Sequence, residues 1–315
     1  GGGVARGPQF DRIVPANGYA WWYVDGLTDD GRSGISISAH VGSVFSPYYF
    51  AARQEQGEAD PEAFCALNVA VYGPGMDRWV FTEWPRHDVD RSADVYTLGS
   101  NRLSWDGNGL TIAIDDEISS RKKRVRGTVC IEPNWVYDRE FHLDPAKKHH
   151  WQAIAPSSRI EVALEEPHWR FSGSGYFDSN WGDEPLEVGL RRWDWSRYQV
   201  NDDAVVFYDA ATRIKNAQPI AVRFQRGGEV SFLDPLPPER ALPKTFLWAL
   251  PRNTRSEKPR PKIRRTWEDT PFYSRTTIAS TVDGVMARGV NESLCLERFK
   301  TRWMQFMLPY RILKR

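Results

Sequence analysis

GISISAHVGSVF, residues 34–45, sets the reading of the whole chain. Ser36, Ser38 and His40 alternate with Ile35, Ile37 and Ala39. That period of two is the signature of a pleated strand whose two faces differ. Segments of the same kind recur on both sides of it. Before it stands YAWWYV (19–24); after it come ALNVAVYG (66–73), RWVFTEW (78–84), LTIAID (110–115) and VRGTVCIE (125–132). SRIEVALE (158–165), WRFSGSGYFD (169–178), AVVFYDA (204–210), IAVRFQRGG (220–228), TFLWAL (245–250) and YSRTTIASTVDGV (273–285) continue the series. WDGNGL (105–110) reads as a hairpin turn, with Asp-Gly between two strands. Many short strands and few helical patterns predict an all-β sandwich or barrel architecture.

Composition narrows the function. The chain has 315 residues, enough for two domains. Its net charge is +1, so no global field points to nucleic acid. Its 14 Trp, 12 Tyr and 15 Phe pack the core by default, and so many Trp also suit a pocket for a large apolar or cation-forming ligand. Cys65, Cys130 and Cys295 are far apart and odd in number, which argues against a disulfide framework or a structural zinc site. No run of about 18 apolar residues predicts a transmembrane helix, and GGGVARGP (1–8) lacks a signal-peptide core.

One helix is predicted at the C-terminus, where Leu296, Phe299, Trp303, Phe306, Met307 and Tyr310 recur three to four apart, before Pro309 kinks or ends it. Its apolar face suits packing on a barrel or, alternatively, a membrane surface. Two basic runs, RKKRVR (121–126) and PRNTRSEKPRPKIRR (251–265), read as solvated loops. The second is too rich in proline for regular structure, and together with the basic tail the runs form a candidate docking surface for anionic lipid.

GYFDSNWGDEPLE (175–187) carries the chemistry. Asp178 and Asn180 have the spacing of a calcium loop, but Gly182 occupies the third ligand position and no flanking helices are predicted. The adjacent His149 and His150 would point to opposite faces of a strand and cannot easily share a metal; no HExxH is present. GxSxG and a Walker lysine are absent as well, so neither a nucleophile elbow nor a nucleotide site is predicted. An enzyme built from these residues would work with side-chain acids, water and aromatic walls. Tyr176 and Asp178, two apart, share a face if the stretch is a strand. From the residues alone, Asp178 either closes a turn beside Asn180 and Gly182 or presents an acid to a pocket. Asp183 and Glu187 are rival acids, and Trp193, Asp194, Trp195 and Arg197 read as an ion-paired structural cluster. Glu268, Asp269 and Arg275 read as packing residues first.

Longer blocks of the chain resemble one family. They are YAWWYVDGLTDDGRSGISISAHVGSVFSPYY (19–49), NVAVYG (68–73), HHWQAIAP (149–156), GSGYFDSNWGDEPLE (173–187), WDWSR (193–197), EDTPFYSR (268–275), VNESLCLERF (290–299) and MLPYR (307–311). They are similar to the carotenoid 1,2-hydratases, also called hydroxyneurosporene synthases, over essentially everything from Phe10 onward. Asn291 departs from the family pattern, which carries histidine before ESL. The resemblance implies two lipocalin-like β-barrel or sandwich domains, placed here at 10–185 and 186–315, the second with the terminal helix. It implies a hydro-lyase that needs no cofactor or metal and adds water to the terminal 1,2 double bond of acyclic carotenoids such as lycopene or neurosporene. Its catalytic group falls on Asp178, supported by Tyr176, His149 and Trp151. A membrane-borne substrate implies peripheral contact with the cytoplasmic side of a bacterial photosynthetic membrane. A related pericyclase or cyclase, or a non-catalytic isoprenoid carrier, are the alternatives.

The physical reading agrees with that assignment. Protonating a trisubstituted alkene gives a tertiary cation that captures water. The acid must keep its proton, which calls for a desolvated site. Trp and Tyr faces stabilise the cation by about 0.5–2 kcal/mol per contact. His149 is placed to reset the acid or orient water. Gly173, Ser174 and Gly175 are expected to let a polyene approach closely.

Overall fold

The computed structural model describes residues 7–118, 123–214 and 217–315. Arg121 and Lys122 of the first basic run lie outside the described residues. The contacts divide the chain into two units. One comprises the residues up to His142, Lys148–Leu186 and Phe306–Arg315; the other comprises Leu143–Lys147 and Glu187–Gln305.

The first unit contains β1 (Tyr19–Thr28), β2 (Gly34–Val41), β3 (Cys65–Tyr72), β4 (Arg78–Trp84), β5 (Val89–Arg91) and β6 (Val95–Leu98). It continues with β7 (Asn101–Trp105), β8 (Leu110–Ile118), β9 (Lys123–Pro133), β10 (Glu140–His142), β11 (His149–Glu166) and β12 (Trp169–Gly182). These strands, with a final β22 (Leu313–Lys314), form a 13-stranded sheet in the order β22-β4-β3-β2-β1-β12-β11-β9-β8-β7-β6-β5, with β10 added to β11. All of its pairings are antiparallel except β22 on β4. The sheet curls, because Ile35, Ile37, Leu67, Val69 and Val80 share one core with Leu103, Ile112, Val129, Ile160 and Phe177. Tyr96 fastens the curl, donating from its hydroxyl to the His40 carbonyl at 2.6 Å.

The alternation read in residues 34–45 is the cause of this arrangement. Ile35, Ile37, Ala39 and Val41 enter the core. Ser36, Ser38 and His40 face the other way, yet they are buried too. Across β1, β2 and β3 the sheet therefore has an apolar face and a polar, aromatic face, both largely removed from water. The Asp-Gly hairpin forms as read, with Trp105 opposite Leu110.

The second unit holds β13 (Leu190–Val200), β14 (Asp203–Thr212), β15 (Ile220–Phe224), β16 (Val230–Phe232), β17 (Glu239–Leu242) and β18 (Arg252–Arg255). β19 (Lys262–Asp269), β20 (Tyr273–Val282) and β21 (Val285–Cys295) complete it. Seven strands run in the order β16-β15-β14-β13-β21-β20-β19, and β17 pairs with β18. Tyr198, Val205, Phe207, Ile278 and Val282 form its apolar cluster. Asn291 holds β21 to its neighbours, its amide donating to the carbonyls of Trp195 and Asn253 and to Ser196.

Three local expectations change. TFLWAL is a turn rather than a strand: Ala249 has φ +48° and Leu250 N–H donates to the Thr245 hydroxyl, leaving Phe246 and Leu247 exposed. The proline-rich basic run supplies two strands, β18 and β19, and only the stretch around Pro259 and Pro261 is irregular. The C-terminal helix is broken into Leu296–Phe299, Arg302–Met307 and a 3-10 turn over Leu308–Tyr310. The break falls where the Thr301 hydroxyl and the Gln305 amide take the carbonyls of Arg298 and Phe299. Met304 and Leu308 turn inward as a result, while Trp303, Phe306, Met307 and Tyr310 stay exposed. A 10-residue helix at Pro47–Gln56, capped by Ser46 with proline at its start, was not anticipated. Among the described residues no helix is long and apolar enough to cross a membrane.

Burial pushes the Glu83 carboxyl on β4 up to about 7, only partly opposed by Ser46 and Lys314. Folded chains therefore bind more protons than unfolded ones between the usual 4.5 and about 7. The stabilisation is full below pH 4.5 and is lost as pH rises through 7. Glu83→Gln should remove that loss, on the order of 3 kcal/mol, so its melting temperature should fall less than wild type's between pH 5 and pH 8.

Candidate active site

Register decides which side chains meet. β12 lies between β1 and β11, with Asp178 opposite Tyr23 on one side and Ala153 on the other. On β12, Tyr176, Asp178 and Asn180 share the polar face. Their neighbours on that face are His149 and Trp151 from β11 and Tyr19, Trp21, Tyr23 and Asp25 from β1. Ser36, Ser38 and His40 extend it across β2. The register of β11 shifts between Ala153 and Ser158, around Pro156. Proline offers no N–H to the ladder, so a bulge is the expected accommodation, and it sits beside the partner of Asp178.

The carboxylate of Asp178 is buried at 3% exposure. Its Oδ2 accepts hydrogen bonds from the Tyr176 hydroxyl at 2.7 Å and from Trp151 Nε1 at 2.9 Å. Phe141 packs on the Trp151 ring, with centroids 5.0 Å apart. One strand away the pattern repeats. The Tyr23 hydroxyl donates to Asp25 Oδ2 at 2.9 Å, and the rings of Tyr23 and Tyr176 lie 6.2 Å apart. Further along the face, His149 Nδ1 bonds the Tyr19 hydroxyl at 2.8 Å and Nε2 lies 3.3 Å from Glu184, which also pairs with Lys148. Tyr19 stacks between Trp21 and His149.

The face is buried, and burial shifts its ionisable groups. The Tyr176 phenol is held well above its ordinary value, first by burial and then by the Asp178 charge and hydrogen bond. Tyr176 is thus a permanent donor over any working pH. Burial pulls His40 down to about 3, so it stays a neutral imidazole, 2.9 Å from the Ser38 hydroxyl. The arrangement can hold a carboxyl in a fixed orientation among aromatic rings and exclude bulk water.

Comparison with known proteins identifies the family. The family model for the carotenoid hydratase CrtC matches residues 37–315. The chain is 44% identical to the acyclic carotenoid 1,2-hydratase of Thiocapsa roseopersicina, over 99% of its own length and 77% of that protein's. It is 42% identical to the acyclic carotenoid 1,2-hydratase of Rubrivivax gelatinosus, over 98% and 76%. The chain belongs to the carotenoid hydratase family. Its fold is shared with the crystal structure of kievitone hydratase from Nectria haematococca, at a TM-score of 0.54 and 10% identity, over 93% of this chain and 94% of that one.

Of the four residues singled out in this hydratase-family sequence, Asp178, Tyr176 and Trp151 form one hydrogen-bonded group. His149 lies on the same face, opposite Gly182, in a separate chain from Tyr19 to Glu184. Asp178 and Asn180 belong to a continuous strand rather than a metal loop. His150, on the opposite face of β11, bonds Glu140 at 2.6 Å and stacks on Trp181. With His142 these two bring potential metal ligands within 4.8 Å of one another, on the side away from Asp178. The glycines before the motif serve the sheet itself. A Cβ on Gly173 would lie 1.9 Å from the Leu27 carbonyl oxygen, and one on Gly175 would press on Ile160. Glu187 is buried and Asp183 exposed, both beyond the end of β12. Asp194, Glu292 and Arg275 serve the second unit, where Ser293 and Asn253 bond Asp194 and Arg275 pairs with Glu292.

Tyr19, Tyr23, Asp25 and Glu184 went unnoticed in the sequence. A signal was present, because YVD (23–25) repeats the Tyr-x-Asp spacing of YFD (176–178). Tyr176→Phe keeps the ring and removes one donor to a buried carboxylate. It should cost about 1–3 kcal/mol, read as a lower urea midpoint at unchanged slope.

Proposed function

We propose that this carotenoid hydratase adds water to the terminal 1,2 double bond of acyclic carotenoids of the lycopene or neurosporene type, with Asp178 as the acid. The observation that carries the reading is the pair of donors, Tyr176 and Trp151, on a single oxygen of a buried carboxyl. Two donors on Oδ2 make it the carbonyl-like acceptor and assign the acidic hydrogen to Oδ1. The carboxyl is then fixed in rotation, with its proton presented to one place.

The chemistry follows in order. Asp178 protonates the alkene carbon that bears hydrogen, and the positive charge develops on the dimethyl-substituted carbon. The rings of Trp151, Tyr176 and Tyr23 supply negative π-faces where that charge forms. Water adds to the cation and loses a proton, giving a tertiary alcohol. Side chains and water provide every group the reaction needs, so it proceeds without a cofactor. The names of the relatives from Thiocapsa roseopersicina and Rubrivivax gelatinosus support the substrate class.

Incubation with lycopene in heavy-oxygen water tests this. Label in a tertiary alcohol is expected; a product of unchanged mass would indicate cyclisation, and unchanged lycopene a carrier. Asp178→Asn should lower label incorporation by about 10²–10⁴-fold with the fold intact, and retained turnover would remove Asp178 from the acid role.

Peripheral membrane contact is part of the proposal, since the substrate dissolves in lipid. The second unit exposes Phe246, Leu247, Trp248 and Trp303, and Trp248 and Trp303 lie 5.8 Å apart. Trp and Phe beside basic side chains suit an interfacial position. Co-sedimentation with anionic liposomes at low salt should recover the protein in the pellet, and Trp248→Ser/Trp303→Ser should return it to the supernatant.

A further inference from the structure

Asp25 is a fully buried carboxylate that the mechanism above leaves unused. It is not an isolated group. It lies directly opposite Tyr176 in the β1–β12 ladder, while Tyr23 lies directly opposite Asp178. The two Tyr-x-Asp pairs run antiparallel, so the four side chains form a square with the acids on one diagonal and the phenols on the other. Each phenol donates to the acid of its own strand, Tyr23 to Asp25 at 2.9 Å and Tyr176 to Asp178 at 2.7 Å. Diagonal neighbours on one sheet face stand roughly 7–8 Å apart. Positions at that spacing on a shared face let two carboxyl groups address one substrate atom and one water from different strands.

Resting on the hydratase reading above, we propose that Asp25 is a second catalytic carboxylate, the base that takes the proton from the water captured by the cation. The two acids divide the work. The O–H bond of Asp178 breaks and its proton forms the new C–H bond with the alkene π pair. The water oxygen forms the C–O bond with the vacated carbon. One O–H bond of that water breaks, and its proton goes to the Asp25 carboxylate. Asp25 ends protonated and Asp178 ionised, and transfer of that proton through water lying between them restores the starting state. Nothing is oxidised or reduced. The environments suit the roles. Asp178 receives two donors on one oxygen, which fixes its rotation and the place where its proton is delivered, whereas Asp25, on the neighbouring strand of the same face, is held by the Tyr23 hydroxyl. Asp25 lies directly opposite Tyr176, whose hydroxyl donates to Asp178, so both acids act on the same small region.

Two labels separate this from a purely structural role. Protonation of the alkene is read as deuterium entering the chain end of recovered lycopene from heavy water. Water capture is read as heavy oxygen in the alcohol. Asp25→Asn should lower oxygen incorporation by about 10²-fold or more while deuterium entry persists, because the cation still forms and collapses back by returning a proton to Asp178. Asp25→Glu should recover part of the oxygen signal. Oxygen incorporation at the wild-type rate in Asp25→Asn would overturn the proposal, as would parallel loss of both labels in a folded Asp25→Asn protein. Tyr23→Phe keeps the ring and covers the case in which Asp25→Asn does not fold. It should lower the oxygen-to-deuterium ratio and move the acidic limb of the kcat/KM profile to higher pH, since a base without its donor titrates higher. An unmoved ratio and limb would also overturn it. Failure of the underlying reading appears elsewhere: Asp178→Asn should lose both labels, and deuterium entry retained in that variant would remove the acid rather than the base.

Discussion

Everything at the site depends on one strand being buried on both faces. β12 is flanked by β1 and β11, and its alternate residues serve opposite surfaces. Phe177 enters the apolar core while Tyr176 and Asp178 enter the polar, aromatic face. A slip of one residue would send an aspartate into the core and a phenylalanine to the site. The core therefore enforces the register of the chemistry. Close approach of the backbones reinforces it, because no side chain fits at Gly173 beside the Leu27 carbonyl.

The polar face is costly to bury and is made tolerable by pairing. Tyr19 with His149, Tyr23 with Asp25, Tyr176 and Trp151 with Asp178, and Ser38 with His40 each satisfy groups that would otherwise lose their water. The same pairings create the functional condition. Donors fixed by packing need no rearrangement when charge moves, and dry surroundings strengthen every charge interaction they make. The shifts at Tyr176 and His40 have burial as their leading cause.

How much of this was legible varied with the range of the interaction. The all-β class was readable because alternation is local: residues 34–45 declare a strand wherever they are placed. The shared face of Tyr176 and Asp178 was readable for the same reason. TFLWAL was misread because its apolar residues resemble a strand, while one left-handed residue, Ala249, and a side-chain bond from Thr245 close it as a turn. The C-terminal helix was misread because its periodicity ignores the side-chain bonds that end it after Phe299. The glycines of the motif were read as space for a ligand, although their neighbours are other strands.

Sequence alone determined that Asp178 would travel with Tyr176, that His149 and His150 would part, and that the strands would carry two unlike faces. Period and spacing fix these relations within a few residues of chain. The tertiary structure alone decided that Trp151 would meet Asp178, that Tyr19 and Glu184 would take His149, and that the Tyr-x-Asp of residues 23–25 would lie against that of residues 176–178. Those partners are separated by up to about 150 residues, and only the choice and register of neighbouring strands bring them within a hydrogen bond or a ring contact of each other. Local physics supplied the parts of the site; the strand order supplied the site.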